Sequence, residues 1–151
     1  MLPSAFLTAE SVQLELQATS REMALEGMVT LLQLPDRGRA TLLRLLARRE
    51  LLGSTAVGRG IAIPHCRSLV VPRVRMAYGR LQQQLPWDAI DGEPVRHIFL
   101  IVAPPVEVSN QYLPTLGQLA RATRQPAFRA ALDAASTGTE IERLLKGEVD
   151  G

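Results

Sequence analysis

Apolar residues recur at helical spacing in the first third of the chain. Residues 19–22 have the form of a capping box, and the apolar positions between 23 and 32 that follow it predict a first helix. Pro35 interrupts that pattern, and the leucines between 42 and 46 lie on one face of a second predicted helix. The residues before position 11 show no clear period, so no element is predicted there.

The pattern becomes that of strands and turns in the middle of the chain. Residues 54–60 are small and contain two glycines, which predicts a loop. A short apolar run at 61–63 predicts a strand that ends at a proline, and the alternation over 74–81 predicts a half-exposed strand. The continuous apolar run over 95–102 predicts a buried strand.

The last third of the chain returns to helical spacing. Helices are predicted over 109–123 and 126–135, and a short final helix follows a second capping box at 139–142. The order of helices, strands and helices predicts an α/β domain with a small sheet and flanking helices. At 151 residues the chain has the size of one domain, so residues 1–151 are predicted to form a single unit.

Composition and charge exclude several classes of protein. The apolar fraction is 46% and the charged fraction 21%, which is typical of a soluble globular domain. Seventeen basic against fifteen acidic side chains give a net charge of +2, too small for a nucleic-acid footprint. The longest apolar run, Ile98–Ala103, is far shorter than a membrane span needs. The opening residues Met1–Ser4 have neither the charged region nor the long apolar stretch expected of a secretory signal. We expect a cytoplasmic protein without nucleic-acid binding or membrane insertion.

His65 has the surroundings that best fit chemistry. It follows a short strand and Pro64, where the chain leaves the sheet and side chains are both held and exposed. A neutral imidazole has one nitrogen with a free lone pair, which can act as a base, a metal ligand or a nucleophile toward phosphorus. The alternative is a loop histidine bonded to nearby backbone. His97, at the start of a strand, is interpreted as an ordinary strand residue.

Two of these possibilities depend on Cys66, the only cysteine. Adjacent side chains in an extended segment point to opposite sides, so His65 and Cys66 are not expected to share a metal ion. The same geometry disfavours a Cys–His hydrolase. We therefore expect neither a metal nor another cofactor.

Phosphoryl acceptance fits the neighbourhood of His65 better. A phosphohistidine needs hydrogen-bond donors and positive charge, which glycine-exposed backbone N–H groups, hydroxyls and guanidinium groups supply. The candidates are Gly58 and Gly60, the hydroxyls of Ser54 and Thr55, and the guanidinium of Arg49 or Arg59. Each is common by itself, and only their occurrence together favours this chemistry.

Residues 49–65 resemble the active-site segment of the fructose/mannitol-type (type 2) enzyme IIA domains of the phosphoenolpyruvate-dependent sugar phosphotransferase system. The shared elements are Arg-Glu, Gly-Ser-Thr, Gly-x-Gly and Ile-Ala-Ile-Pro-His, with the last histidine phosphorylated in the family. Residues 87–95 and the strand that follows resemble the next part of the family. The resemblance extends from Leu14 to Leu145.

This resemblance implies a fold and an activity. The implied fold is a small mixed sheet with helices on both sides. His65 would accept a phosphoryl group from the phosphorylated histidine phosphocarrier protein, with Arg49, Ser54 and Thr55 matching the family's site residues. A free-standing IIA domain resembles the nitrogen-regulatory branch, so the downstream partner would be a protein target or a sugar-specific IIB domain.

Two positions depart from the family pattern. Cys66 replaces the glycine that usually follows the histidine, and Tyr112 replaces a second histidine. Tyr112 can still donate a hydrogen bond to a phosphoryl oxygen, but it carries no charge at pH 7. The sequence therefore leaves two hypotheses: a phosphocarrier with a regulatory output, and a non-catalytic binding module of the same fold. Val57, Ile63 and Leu69 are candidate contacts for a docking partner.

Overall fold

The continuous apolar run is strand β6 (Val95–Ala103), and it lies inside a mixed sheet. Eight of its nine residues are buried and only Arg96 is partly exposed. A strand with both faces buried must be covered on both sides, and helices cover it here. The middle of the sequence thus determines a sheet between two helical layers.

The computed structural model describes residues 6–106 and 110–147. The helices are α1 (Arg21–Thr30), α2 (Asp36–Leu51), α3 (Tyr112–Ala122), α4 (Pro126–Ala134) and α5 (Gly138–Leu145). The other strands are β1 (Val12–Leu16), β2 (Ala56–Gly58), β3 (Ile61–Ala62), β4 (His65–Arg67) and β5 (Arg75–Leu85). A 3-10 helix, Ala9–Ser11, precedes β1. No helix in the described residues is long and apolar enough to cross a membrane.

The six strands pair in the order β1-β5-β6-β3-β2, and β4 also pairs with β6. β5 runs antiparallel to β6, whereas β3 and β4 run parallel to it. Ile61 is opposite His97 and His65 is opposite Ile101, so β3 and β4 share one register against β6. Pro64 has no N–H to donate, and its carbonyl accepts from the Ile101 N–H at 3.0 Å. β3 and β4 therefore pair with β6 as a single strand would, with one interruption at Pro64.

Each face of the sheet has its own hydrophobic core. On one face α1 and α2 pack against apolar side chains that include Leu100 of β6. On the other face α3, α4 and α5 pack around a cluster that contains Tyr78, Phe99 and Phe128. The Tyr78 and Phe99 ring centroids are 4.9 Å apart. The predicted α/β class is confirmed, as is the mixed sheet with helices on both sides.

Three strands were not predicted from the hydrophobic pattern. β1 is a five-residue edge strand, β2 lies in the segment predicted as a loop, and β4 consists of His65, Cys66 and Arg67. These segments are short and have no long apolar run, so backbone pairing with neighbouring strands determines their structure. The helix starts also differ slightly. Ser20 caps α1 one position after the start of the box predicted at 19–22, and Thr137 caps α5 two positions before the start of the box predicted at 139–142.

Helix α1 approaches β5 closely at Gly79. A Cβ atom at Gly79 would lie 3.0 Å from Leu16 Cδ2 and inside van der Waals contact with Met28 Sδ. Met28 is fully buried, so its side chain has little room to move. A glycine is therefore needed in the middle of this strand for the helix to pack.

We expect Gly79→Ala to lower the free energy of unfolding by about 1–3 kcal/mol, because it overpacks this contact. Urea denaturation followed by circular dichroism measures the change. Gly117→Ala is the control, since its Cβ would meet only the Arg121 Nη1 atom, at 3.4 Å. That variant should be neutral or stabilising because alanine favours helix. Equal stability of Gly79→Ala and the unmodified chain would contradict the close packing.

Candidate functional site

His65 is held by a hydrogen bond to its own backbone segment. It is the first residue of β4, it is partly exposed, and its Nδ1 lies 2.6 Å from the Ile63 carbonyl oxygen. A carbonyl oxygen can only accept, so Nδ1 carries the proton. The neutral ring then has its free lone pair on Nε2. The bond to nearby backbone that the sequence offered as an alternative is thus present, and it leaves the lone pair of Nε2 unused by the backbone.

Cys66 is directed to the other side of the sheet. It packs against the core formed by α1 and α2, and burial raises the pKa of its thiol to about 12. The thiol is therefore protonated at neutral pH and does not form a pair with the imidazole. Among the described residues, no group of three histidine, cysteine or acidic side chains could hold a metal ion.

Tyr112 lies beside His65 on the opposite face from Cys66. It is the first residue of α3, it is 5% exposed, and its ring centroid is 6.3 Å from that of His65. Burial raises the pKa of Tyr112 to about 12, although the nearby guanidinium groups of Arg67 and Arg49 act to lower it. The phenol is therefore neutral at physiological pH. Two regions far apart in sequence meet here.

Arg49 lies in the last turn of α2. Its Nη1 donates to the Gly53 carbonyl oxygen at 2.8 Å, which satisfies a carbonyl at the end of the helix. Its charge also acts on Tyr112. Arg49 therefore acts electrostatically on the tyrosine whose ring adjoins His65.

Glu50 organises the segment that follows α2. It is 5% exposed, and its carboxylate accepts hydrogen bonds from Thr55 N at 3.0 Å, from Thr55 Oγ1 and from Trp87 Nε1 at 3.2 Å. Ser54 Oγ donates to the Trp87 carbonyl oxygen and accepts from Ala56 N at 3.1 Å. The hydroxyl protons of Ser54 and Thr55 are both donated within this network.

This network reaches His65 through the backbone. The Ile63 N–H donates to the Thr55 carbonyl oxygen at 3.0 Å, and the Ile63 carbonyl holds the His65 ring. In this structure, Ser54 and Thr55 therefore build the support of the imidazole. Sequence reasoning missed Glu50 and Trp87 as positioning residues. The available signal was an acidic residue just before the Gly-Ser-Thr segment and the only tryptophan of the chain.

Gly58 and Gly60 lie far from His65, contrary to the sequence-based expectation. They form the turn between β2 and β3, where φ values of 93° and 83° favour glycine. The Gly60 carbonyl accepts from the His97 N–H, whereas His65 pairs with Ile101. Gly60 and His65 are five residues apart in this extended part of the chain, which corresponds to roughly 16 Å. Their N–H groups are therefore not placed to meet a phosphoryl group on His65.

Arg59 lies on that same turn. Its backbone N–H donates to Asp91 Oδ2 at 2.7 Å. Arg49 therefore remains as the arginine of the predicted pair that lies near His65.

His97 is a buried strand residue at that far end of the sheet. Its ring lies 2.6 Å from Tyr78 Oη and 2.9 Å from Asp133 Oδ1. Burial lowers the pKa of His97 to about 4 despite the carboxylate of Asp133. The imidazole is thus neutral and serves packing, as the sequence analysis interpreted it.

We expect Cys66 to react at least ~100-fold more slowly with iodoacetamide in the folded chain at pH 8 than in urea, since thiolate is the reactive form. The raised pKa favours the folded state below the unfolded thiol pKa of about 8.5, and this contribution is lost as pH rises toward about 12. Intact-mass kinetics measure the rates. Equal rates in the folded and unfolded chains would show that the thiol is not protected.

Comparison with known proteins gives a consistent result. The family model for the phosphoenolpyruvate-dependent sugar phosphotransferase system, EIIA 2, matches residues 5–148. The nitrogen regulatory protein of Pseudomonas aeruginosa is 32% identical over 128 residues, which cover 83% of this chain and 82% of that protein. The crystal structure of the nitrogen regulatory protein IIA-Ntr from Neisseria meningitidis is 30% identical. It superposes with a TM-score of 0.86 over 94% of this chain and 97% of that one.

The chain also matches part of a much longer protein. The 2-O-alpha-mannosyl-D-glycerate-specific EIIABC component of Escherichia coli is 30% identical over 139 residues, which cover 90% of this chain but only 21% of that protein. The match to the family model covers nearly the whole chain, and the fold is that of the Neisseria protein. The chain therefore belongs to the type 2 enzyme IIA family of the phosphotransferase system and is similar to its nitrogen-regulatory members.

Proposed function

We propose that His65 accepts a phosphoryl group from the phosphorylated histidine phosphocarrier protein, and that the phosphorylation state controls contacts with a protein target. The observation that carries this proposal is the hydrogen bond from His65 Nδ1 to the Ile63 carbonyl, which leaves the Nε2 lone pair available. Residues 1–151 would then act as a single cytoplasmic IIA domain.

The proposed step is an in-line displacement at phosphorus. The Nε2 lone pair of His65 forms the new P–N bond while the P–N bond of the donor breaks, and that electron pair returns to the donor's imidazole. Such a transition state is loose and strongly charged, so catalysis depends on positioning and on positive charge. Proton loss is not required of His65 during the step, because the attacking nitrogen carries no proton and the product ring keeps the Nδ1 proton as an imidazolium. The donor ring, protonated on its other nitrogen, leaves as a neutral imidazole.

The surrounding residues have distinct proposed roles. The guanidinium of Arg49 contributes positive charge, and the aromatic ring of Tyr112 adjoins the imidazole. Ser54 and Thr55 act by fixing the Ile63 carbonyl, because their own protons are donated to Trp87 and Glu50. An imidazole held in one orientation loses less entropy on reaching the transition state.

Exposed apolar side chains near His65 provide a docking surface for the phosphocarrier. They are Leu51 and Leu52 after Arg49, Leu69 after β4, Val106 after β6, and Leu113 next to Tyr112. Each is at least 63% exposed. Exposed large apolar side chains around a site are typical of protein-binding surfaces. Of the three candidate contacts from the sequence, Leu69 and Val57 are exposed, whereas Ile63 is 4% exposed and belongs to the core.

The regulatory part of the proposal is supported by the similarity to nitrogen regulatory proteins. The Pseudomonas relative and the Neisseria structure, both nitrogen regulatory proteins, are 32% and 30% identical to this chain. A protein target is therefore the favoured downstream partner, and a sugar-specific IIB domain is the other candidate. Added phosphate would change docking through its charge of about −2.

We expect incubation with phosphoenolpyruvate, enzyme I and the phosphocarrier to add one acid-labile phosphoryl group, a gain of about 80 Da in intact mass. His65→Ala should abolish the gain and retain its circular dichroism spectrum, because the side chain is partly exposed. Cys66→Ala is the matched control and should be phosphorylated normally.

Two outcomes would contradict the proposal. An acid-labile phosphate that persists in His65→Ala would place the acceptor elsewhere. No mass gain in the unmodified chain would favour the binding-module hypothesis, with Cys66 and Tyr112 as the substitutions associated with lost transfer.

A further inference from the structure

Arg67 lies on the same side of strand β4 as His65. The two residues are separated by one position in an extended segment, so their side chains leave the same face of the sheet. Cys66, between them, packs into the opposite core. The chain therefore places a permanently charged guanidinium beside the imidazole, at a position outside the site residues predicted from the sequence.

Tyr112 holds this guanidinium in place. Arg67 Cζ lies 4.5 Å from the centroid of the Tyr112 ring, within the range of a cation–π contact. Arg67 Nη1 also donates to the Pro104 carbonyl oxygen at 3.2 Å. Tyr112 is itself buried at the start of α3 and adjoins His65. An exposed, otherwise flexible side chain is thus fixed by two partners next to the acceptor.

The hydroxyl groups of Ser54 and Thr55 have already donated their protons, to Trp87 and Glu50. Arg49 donates one hydrogen bond, to the Gly53 carbonyl. A guanidinium has five N–H donors, and the bond to Pro104 uses one of those on Arg67. Arg67 therefore retains a fork of donors that suits phosphoryl oxygens.

We propose that Arg67, positioned by the ring of Tyr112, binds the phosphoryl group carried on His65 Nε2. This inference rests on the function proposed above. During transfer Arg67 stays protonated and donates hydrogen bonds to phosphoryl oxygens, while the P–N bonds form and break between the two imidazoles. Tyr112 acts as a positioning residue through its ring, and its hydroxyl is not required for this role.

The test is single-turnover transfer from phosphorylated phosphocarrier protein, followed by rapid quench and intact mass. We expect Arg67→Ala to be slower by about 100-fold, the scale for loss of one donor to a transition-state charge. Arg67→Lys should recover part of this loss, because lysine keeps the charge without the fork. Arg124→Ala removes an exposed arginine beyond the far end of α3 and should leave the rate unchanged.

Tyrosine variants separate the ring from the hydroxyl. Tyr112→Phe should transfer within about threefold of the unmodified chain, because the ring face still holds Arg67. Tyr112→Leu should slow transfer, and the double variant Arg67→Ala/Tyr112→Leu should be no slower than Arg67→Ala alone. The phosphohistidine ³¹P chemical shift should move in Arg67→Ala but not in Arg124→Ala, which a purely structural role would not produce.

The outcomes distinguish this inference from the function on which it rests. A chain that is phosphorylated on His65 at the same rate with and without Arg67 would overturn the inference alone. A Tyr112→Phe variant as slow as Tyr112→Leu would overturn the positioning role, because the hydroxyl would then act directly. An unmodified chain that takes up no phosphoryl group would overturn both proposals.

Discussion

The register between β6 and the interrupted line of β3 and β4 is the constraint on which the site depends. One offset pairs Ile61 with His97 and His65 with Ile101, and it is kept across Pro64. A shift by one residue would exchange His65 and Cys66 between the two faces of the sheet. The imidazole would then lie in the core of α1 and α2, and the thiol would lie beside Tyr112. The register is fixed because Ile61 and Ile63 enter one core while Ala62 and Cys66 enter the other.

A second set of contacts fixes the orientation of the His65 imidazole. The buried carboxylate of Glu50 accepts from Thr55, the Thr55 carbonyl accepts from Ile63, and the Ile63 carbonyl accepts from His65. Each polar group in this series has a hydrogen-bond partner, which a buried polar network needs in order to hold a single conformation. Residues that never contact a phosphoryl group can therefore determine which nitrogen of His65 is reactive.

Some of this arrangement could be predicted from the sequence and some could not. Strong hydrophobic patterns mark β6, α2 and α4, and the segment around His65 carries a long family motif. β4 could not be predicted because its residues lack an apolar pattern and its backbone is ordered by β6. Gly58 and Gly60 were misplaced because residues near His65 in sequence lie far from it along an extended strand. The contact between Arg67 and Tyr112 joins distant segments, so no local pattern indicates it.

The most direct measurement is long-range ¹H–¹⁵N correlation NMR of the ¹⁵N-labelled chain, before and after phosphorylation. The Ile63 carbonyl should hold the proton of neutral His65 on Nδ1, and the phosphoryl group should then appear on Nε2. A neutral ring protonated on Nε2, or a phosphoryl group on Nδ1, would contradict the account, because the backbone bond would not be selecting the nucleophile.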